Sequence, residues 1–85
     1  MTYFYIETTL FPVEGKFVDE NEQVSVSSEV FSVAVNRFMH RMGDDFPFID
    51  KIGVVLCSMQ NGNFTILNSF KYKPNDFIKL IKEIL

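Results

Sequence analysis

The chain is poor in the residue types that most often build catalytic or metal centres. Among its 85 residues are one cysteine, one histidine, no tryptophan and four widely separated glycines. A single cysteine excludes an internal disulfide and a zinc site built from several cysteines, and dispersed glycines exclude a phosphate-binding loop. No serine has a base placed beside it by a known catalytic motif. We therefore expect a protein that is not an enzyme and that needs no metal and no cofactor.

The cysteine, Cys57, lies in a predicted β-hairpin. Asn61-Gly62 separates two apolar runs and is the preferred pair for a two-residue type I′ turn. Centring the hairpin there pairs Met59 with Phe64, Cys57 with Ile66, Val55 with Asn68 and Gly53 with Phe70, all on one face. Because this face is the more apolar one, we expect Cys57 to be buried and chemically inert.

Long apolar runs are also missing. No segment approaches the roughly 20 apolar residues of a transmembrane helix. The amino terminus, MTYFYIETTLF, has no positively charged region and contains Glu7 within its apolar stretch, unlike a signal peptide. One cysteine gives no reason to expect an oxidising compartment. These features predict a soluble cytoplasmic protein with no membrane partner.

The charge is distributed unevenly around a net value of −3. Residues 1–36 contain six acidic side chains and one lysine, which is −5, whereas residues 37–85 contain seven basic and five acidic side chains, which is +2. Nucleic acid phosphates favour a coherent basic face, which this distribution does not provide. A protein partner is therefore favoured over a nucleic acid.

The spacing of the apolar residues predicts a single α+β domain over residues 1–85. Strands are expected over residues 3–11 and 23–27, near Phe17 and Val18, and in both hairpin arms. Helices are expected over residues 28–42, capped by Ser27 or Ser28, and over 75–85, capped by Asn75. The order β-β-α-β-β-α predicts a two-layer sandwich, in which both helices cover the Cys57 face of a mainly antiparallel sheet of about four strands.

The first candidate binding surface is an acidic stretch. Its carboxylates are Glu14, Asp19, Glu20 and Glu22. One interpretation is a solvated loop, because charged loops are common. The other is a patch that steers a partner with a basic surface, since complementary charge accelerates association.

The second candidate is the segment GDDFPFIDK, residues 43–51. Asp44, Asp45 and Asp50 could offer oxygen ligands to a cation, but their spacing matches no calcium loop. We favour a packed connector, with Phe46 or Phe48 as an alternative aromatic anchor for a partner. The nearby His40 falls on the polar side of the predicted helix, where we expect it to face solvent.

The third candidate is the sheet face away from the helices. There we expect Val54, Leu56 and Leu67 beside Tyr3, Tyr5 and Phe11. An exposed apolar patch on so small a protein predicts an interface, including a possible homodimer. Two tyrosines on a sheet could also stack on bases, but no basic-aromatic RNA-binding motif accompanies them.

Together these features favour a small non-enzymatic protein-binding module that inhibits or sequesters a partner. In general character the chain resembles small immunity proteins, antitoxins and phage-encoded inhibitors, although it shares no motif with them. The alternatives are a small-molecule or nucleotide-binding oligomer and a structural or accessory subunit of a complex.

Overall fold

A computed structural model describes residues 1–10 and 22–84. Its elements are β1 (Thr2–Leu10), β2 (Glu22–Ser28), α1 (Phe31–Met42), a 3₁₀ helix (Gly43–Phe48), β3 (Ile49–Gln60), β4 (Asn63–Tyr72) and α2 (Pro74–Ile84). The predicted order of strands and helices and the α+β class are confirmed. The strand expected near Phe17 and Val18 lies outside the described residues.

The four strands form one antiparallel sheet in the order β2-β1-β3-β4. Both helices pack on one face of it, which makes a two-layer sandwich. The side chains between the layers form one buried cluster: Ile6, Leu10, Val24, Ala34, Val35, Phe38, Met42, Ile49, Ile52, Val54 and Phe77. The even positions of β1 point into this cluster, as their alternation predicts.

The helix ends differ in detail from their predictions. Val30, in an extended conformation, precedes α1, and its N–H donates to Ser28 Oγ at 3.2 Å. Helix α1 ends at Met42, and the φ of 50° at the following Gly43 suits a residue without a Cβ. Helix α2 begins at Pro74, one residue before the expected cap, because proline is favourable in a first helical turn.

The face covered by the helices is not the one expected. Tyr3 pairs with Cys57, and Phe4 pairs with Leu56, so alternation places these two pairs on opposite faces of the sheet. The helices cover the Leu56 face, and Cys57 is not part of the cluster beneath them. The prediction that the helices cover the Cys57 face is therefore wrong. We call the uncovered side, which carries Tyr3 and Cys57, the outer face.

A β-bulge in β4 explains part of this error. Cys57 pairs with Ile66 as expected, but Leu56 then pairs with Asn68, which leaves Leu67 as an extra residue. Gly53 consequently pairs with Lys71 rather than with Phe70. The shift moves Phe70 and Tyr72 to the helix face, where the Tyr72 ring lies 6.5 Å from that of Phe77. An unbroken register would have placed both on the same face as Cys57.

The turn of the hairpin has the predicted conformation. Asn61 has a φ of 51° and Gly62 a φ of 80°, the two positive values that a type I′ turn requires. The pairs Gln60–Asn63, Met59–Phe64 and Cys57–Ile66 follow from it. The prediction is therefore correct from the turn to the bulge and fails beyond it.

Candidate protein-binding surface

The two edges of the sheet differ in how they are protected. At the β2 edge, Arg37 of α1 donates from Nη1 to the carbonyl oxygen of Ser27 at 2.7 Å, and Arg41 pairs with Glu22 at 2.8 Å. At the other edge, β4 pairs with β3 alone among the described residues. Every residue from Asn63 to Lys71 is exposed. An unprotected edge strand is a template for another strand.

The backbone at the start of β4 directs hydrogen-bonding groups towards solvent. Met59 N donates to the carbonyl oxygen of Met1 at 2.8 Å, and Met1 N donates to that of Met59 at 3.2 Å. Because Met59 bonds in the direction of β1, its pair with Phe64 is a non-hydrogen-bonded one, and the N–H and carbonyl of Phe64 point away from β3. The alternation repeats every two residues, so the same holds for Ile66.

Three of the exposed side chains at the start of β4 are large and apolar. Phe64 is 54% exposed, Ile66 60% and Leu67 55%. Met59, opposite Phe64 on β3, is also exposed. Phe64 and Ile66 therefore present open backbone groups and apolar side chains at the same positions. We call Met59 together with Asn63–Leu67 the apolar edge.

A shallow groove on the outer face adjoins the apolar edge. It is lined by Tyr3, Tyr5, Ser27, Cys57, Met59 and Phe64 and has a volume of about 250 Å³. Cys57 forms part of its floor, is only 2% exposed and directs its thiol at the carbonyl oxygen of Tyr3, 3.5 Å away. The prediction that Cys57 is buried is confirmed. Larger side chains on its own face, and not the helices, shield it from solvent.

This surface carries no charged side chain. From Ile52 to Phe70 the sequence contains no Asp, Glu, Lys, Arg or His. The opposite end of the outer face is polar, where Glu7, Gly53 and Lys71 lie side by side on three strands. Gly53 leaves room for the Glu7 side chain, because a Cβ there would lie 3.1 Å from Glu7 Cγ. The outer face therefore has a charged end and an uncharged apolar end.

The third predicted surface is found only in part. Tyr3 and Tyr5 do lie on the outer face, half-buried beside Cys57 and Val55. Leu67 is exposed, at the bulge. Leu56 and Val54 instead face the helices, and Val54 belongs to the buried cluster. The expectation that Val54 and Leu56 lie on the outer face is therefore wrong, because the helices dock on their side.

The second predicted surface lies at the other end of the sheet. Ile49, directly after the 3₁₀ helix, pairs with Leu10, whereas Cys57 is eight residues further along β3, or roughly 26 Å. Phe46 is half-buried and packs against the core, as the packed-connector interpretation expects. Phe48 and Asp45 are also half-buried, and Asp44 is exposed. Within residues 1–10 and 22–84, no group of three or more acidic, His or Cys side chains is arranged to hold a metal ion.

The acidic stretch is largely outside the described residues. Glu14, Asp19 and Glu20 lie there, so their steering role stays a prediction. Glu22 is described and forms its ion pair with Arg41, both side chains being about half exposed. His40 is exposed near the end of α1, as expected.

Phe64, Ile66 and Met59 are the binding candidates that sequence reasoning missed, because it placed them beneath the helices. A signal for them was present, since apolar residues alternate along the hairpin and no charged residue accompanies them.

Comparison with protein-family models, curated proteins and solved structures finds no match to this chain. In the described part of the chain, neither helix has the length and apolar character needed to cross a membrane.

Proposed function

We propose that this protein is a small non-enzymatic binding module that inhibits or sequesters a partner protein through the apolar edge. The observation that carries the proposal is the exposure of every residue from Asn63 to Lys71 on a strand without a second neighbour in the described chain. A monomer gains nothing from such an edge and risks aggregation. A bound partner would bury it.

The recognition mode that fits is strand addition. A partner segment in extended conformation would accept and donate hydrogen bonds at Phe64 and Ile66 and continue the sheet. The exposed parts of Met59, Phe64, Ile66 and Leu67 add on the order of 400 Å² of apolar surface, the size of a functional patch on a small protein. Backbone bonding would supply affinity, and the groove beside Tyr3 would select side chains.

Two further features belong to the same proposal. A partner with a basic surface would be attracted by Glu14, Asp19 and Glu20, whose charges act mainly on the association rate. A second copy of the chain would need no charge complement, because the apolar edge has no charged side chain. We place the module in the cytoplasm, where a single buried thiol needs no oxidised partner.

Small-molecule binding is the second candidate, favoured by the groove over Cys57. At about 250 Å³ the groove is smaller than most ligand pockets. It also opens onto the exposed side chains of Met59 and Phe64. These features suit the side chain of a bound segment better than a free ligand. A permanent structural subunit would use the same apolar edge and differ only in the lifetime of the complex.

Affinity capture from host lysate with matched variants tests the proposal. The bait proteins are the wild type, Ile66→Lys and Ile84→Lys. Ile84 is a suitable control because it is 55% exposed, close to the value for Ile66, but lies on α2. We expect mass spectrometry to find proteins that the wild type and Ile84→Lys retain and Ile66→Lys loses. An identical retained set for Ile66→Lys and the wild type would contradict the proposal.

A further inference from the structure

We infer that the apolar edge pairs with the same edge of a second copy, antiparallel and centred on Thr65, so that two four-stranded sheets join into one of eight strands. This inference rests on the proposed function, since it assigns the same strand a specific partner. Four properties carry it: the direction of the free backbone groups, the complementarity of the side chains, the position of the bulge and the absence of charged side chains.

The free backbone groups fix which residues can bond. Phe64 and Ile66 direct their N–H and carbonyl groups away from β3. In an antiparallel pair centred on Thr65, Phe64 lies opposite Ile66 of the second copy, and Ile66 lies opposite its Phe64. Both are then hydrogen-bonded pairs, which exchange N–H···O bonds in the two directions. This register therefore satisfies four donors and four acceptors that are otherwise open to solvent.

The side chains in this register complement one another. Phe64 and Ile66 project from the outer face, because they pair with Met59 and Cys57. Across the new boundary each aromatic ring meets a β-branched side chain, a favourable cross-strand combination. Thr65 lies on the two-fold axis facing itself, and paired threonines on a sheet are likewise favourable.

The bulge at Leu67 limits the pairing to this part of β4. The extra residue interrupts the regular alternation of outward groups at Leu67 and Asn68. A register centred further along the strand would have to cross that irregularity. The regular stretch from Asn63 to Ile66 ends before the bulge and contains Thr65.

Charge and symmetry favour a second copy and stop the assembly at two. A two-fold contact sets each side chain against the same surface, so any charge near the axis would meet its own sign. None lies between Ile52 and Phe70. At the opposite edge of the sheet, Arg37 donates to the carbonyl oxygen of Ser27 and so blocks one of the outward acceptors of β2. In the described part of the chain, pairing through β4 therefore gives a closed dimer instead of a growing fibre.

Cysteine cross-linking of the full chain tests the register. Opposed Cα atoms in a non-hydrogen-bonded pair lie about 4.5 Å apart, within the range a disulfide spans, so Thr65→Cys should cross-link under mild oxidation. Ser69→Cys is the matched control, because Ser69 is also exposed but would lie roughly 27 Å from its counterpart. We expect at least about tenfold more cross-linked dimer for Thr65→Cys. The wild type, with only buried Cys57, should give none.

Analytical ultracentrifugation supplies a second, cysteine-free test. The wild type and Ile84→Lys should dimerise at micromolar concentration, and Ile66→Lys should raise the dissociation constant at least about tenfold, because it places two unpaired charges in the interface. Circular dichroism would confirm that each variant is folded. Equal cross-linking at positions 65 and 69, or a wild type that stays monomeric at several hundred micromolar, would overturn the dimer. A monomer that still captures a partner through Ile66 would overturn the dimer alone and leave the proposed function standing.

Discussion

The rings of Phe38 and Phe77 meet edge to face, with 5.6 Å between their centroids and an interplanar angle of 79°. Both side chains are completely buried. Phe38 comes from α1 and Phe77 from α2, so this contact joins the two helices above the sheet. Phe77 is the one residue of α2 that is fully buried within the described chain, so it is the main anchor of that helix on the core.

Phe77→Ala should therefore release α2. We expect a loss of about 3–5 kcal/mol in the free energy of unfolding, from the lost burial and the cavity beside Phe38. An isolated helix of 11 residues is marginal in water, so the far-ultraviolet circular dichroism should also lose helical signal. Urea denaturation measures the free energy. Ile84→Ala, at an exposed position of the same helix, is the control, and an equal loss there would contradict the assigned role of Phe77.

Two isoleucines test which face the helices cover. Ile52 is fully buried among the helix-facing residues, whereas Ile66 is 60% exposed on the outer face. Ile52→Ala should cost about 2–5 kcal/mol of unfolding free energy. Ile66→Ala should cost less than about 1 kcal/mol at concentrations where the protein is monomeric. Denaturation at low protein concentration makes the comparison, and the reverse ranking would mean that the faces are exchanged.

Cys57 should react slowly with a thiol reagent in the native protein and quickly in denaturant, because it is 2% exposed beside Tyr3. Tyr3→Ala opens one side of the groove, so native labelling should become faster without unfolding. Tyr72→Ala, on the helix face, should leave the native labelling rate of Cys57 unchanged under conditions where the variant is folded. Labelling followed by mass spectrometry gives the rates. Equal rates for the native and denatured wild type would refute the burial of the thiol.

Arg37→Gln should weaken the protection of the second sheet edge. The shorter side chain no longer reaches the carbonyl oxygen of Ser27, and that edge becomes available for pairing. We expect light scattering to detect species larger than a dimer at high protein concentration, with little change in unfolding free energy. Arg41→Gln removes an exposed ion pair with Glu22 and is the control. Its assembly should match that of the wild type. A similar increase of large species in both variants would mean that the loss of a positive charge, and not the exposed edge, causes the assembly.

The sequence was sufficient for the local structure of the hairpin. Asn61-Gly62 fixes a two-residue turn, so the nearest pairs, Met59–Phe64 and Cys57–Ile66, follow directly. The bulge was not predictable, because nothing in Leu67 or Asn68 distinguishes a bulged from a regular strand. Whether a strand takes up an extra residue depends on the twist and packing of the assembled sheet.

The candidate site was predictable only in outline. An uncovered sheet face carrying Tyr3 and Tyr5 follows from the alternation in β1. Phe64 and Ile66 were misplaced because apolar character normally indicates the core, and a strand built for a partner has the same composition. Strand order in the sheet, which decides that β4 is an edge, depends on contacts distant in the sequence.

The extra residue at Leu67 separates β4 into two stretches that can change independently. Before it, the side chains of Phe64 and Ile66 project from the outer face. After it, those of Phe70 and Tyr72 lie on the face that packs against α2. Adding or deleting one residue at this point would move the side chains of one stretch to the other face of the sheet, while those of the second stretch stay where they are. Substitutions in the first stretch can therefore accumulate and alter what the protein recognises, while the second keeps the fold intact.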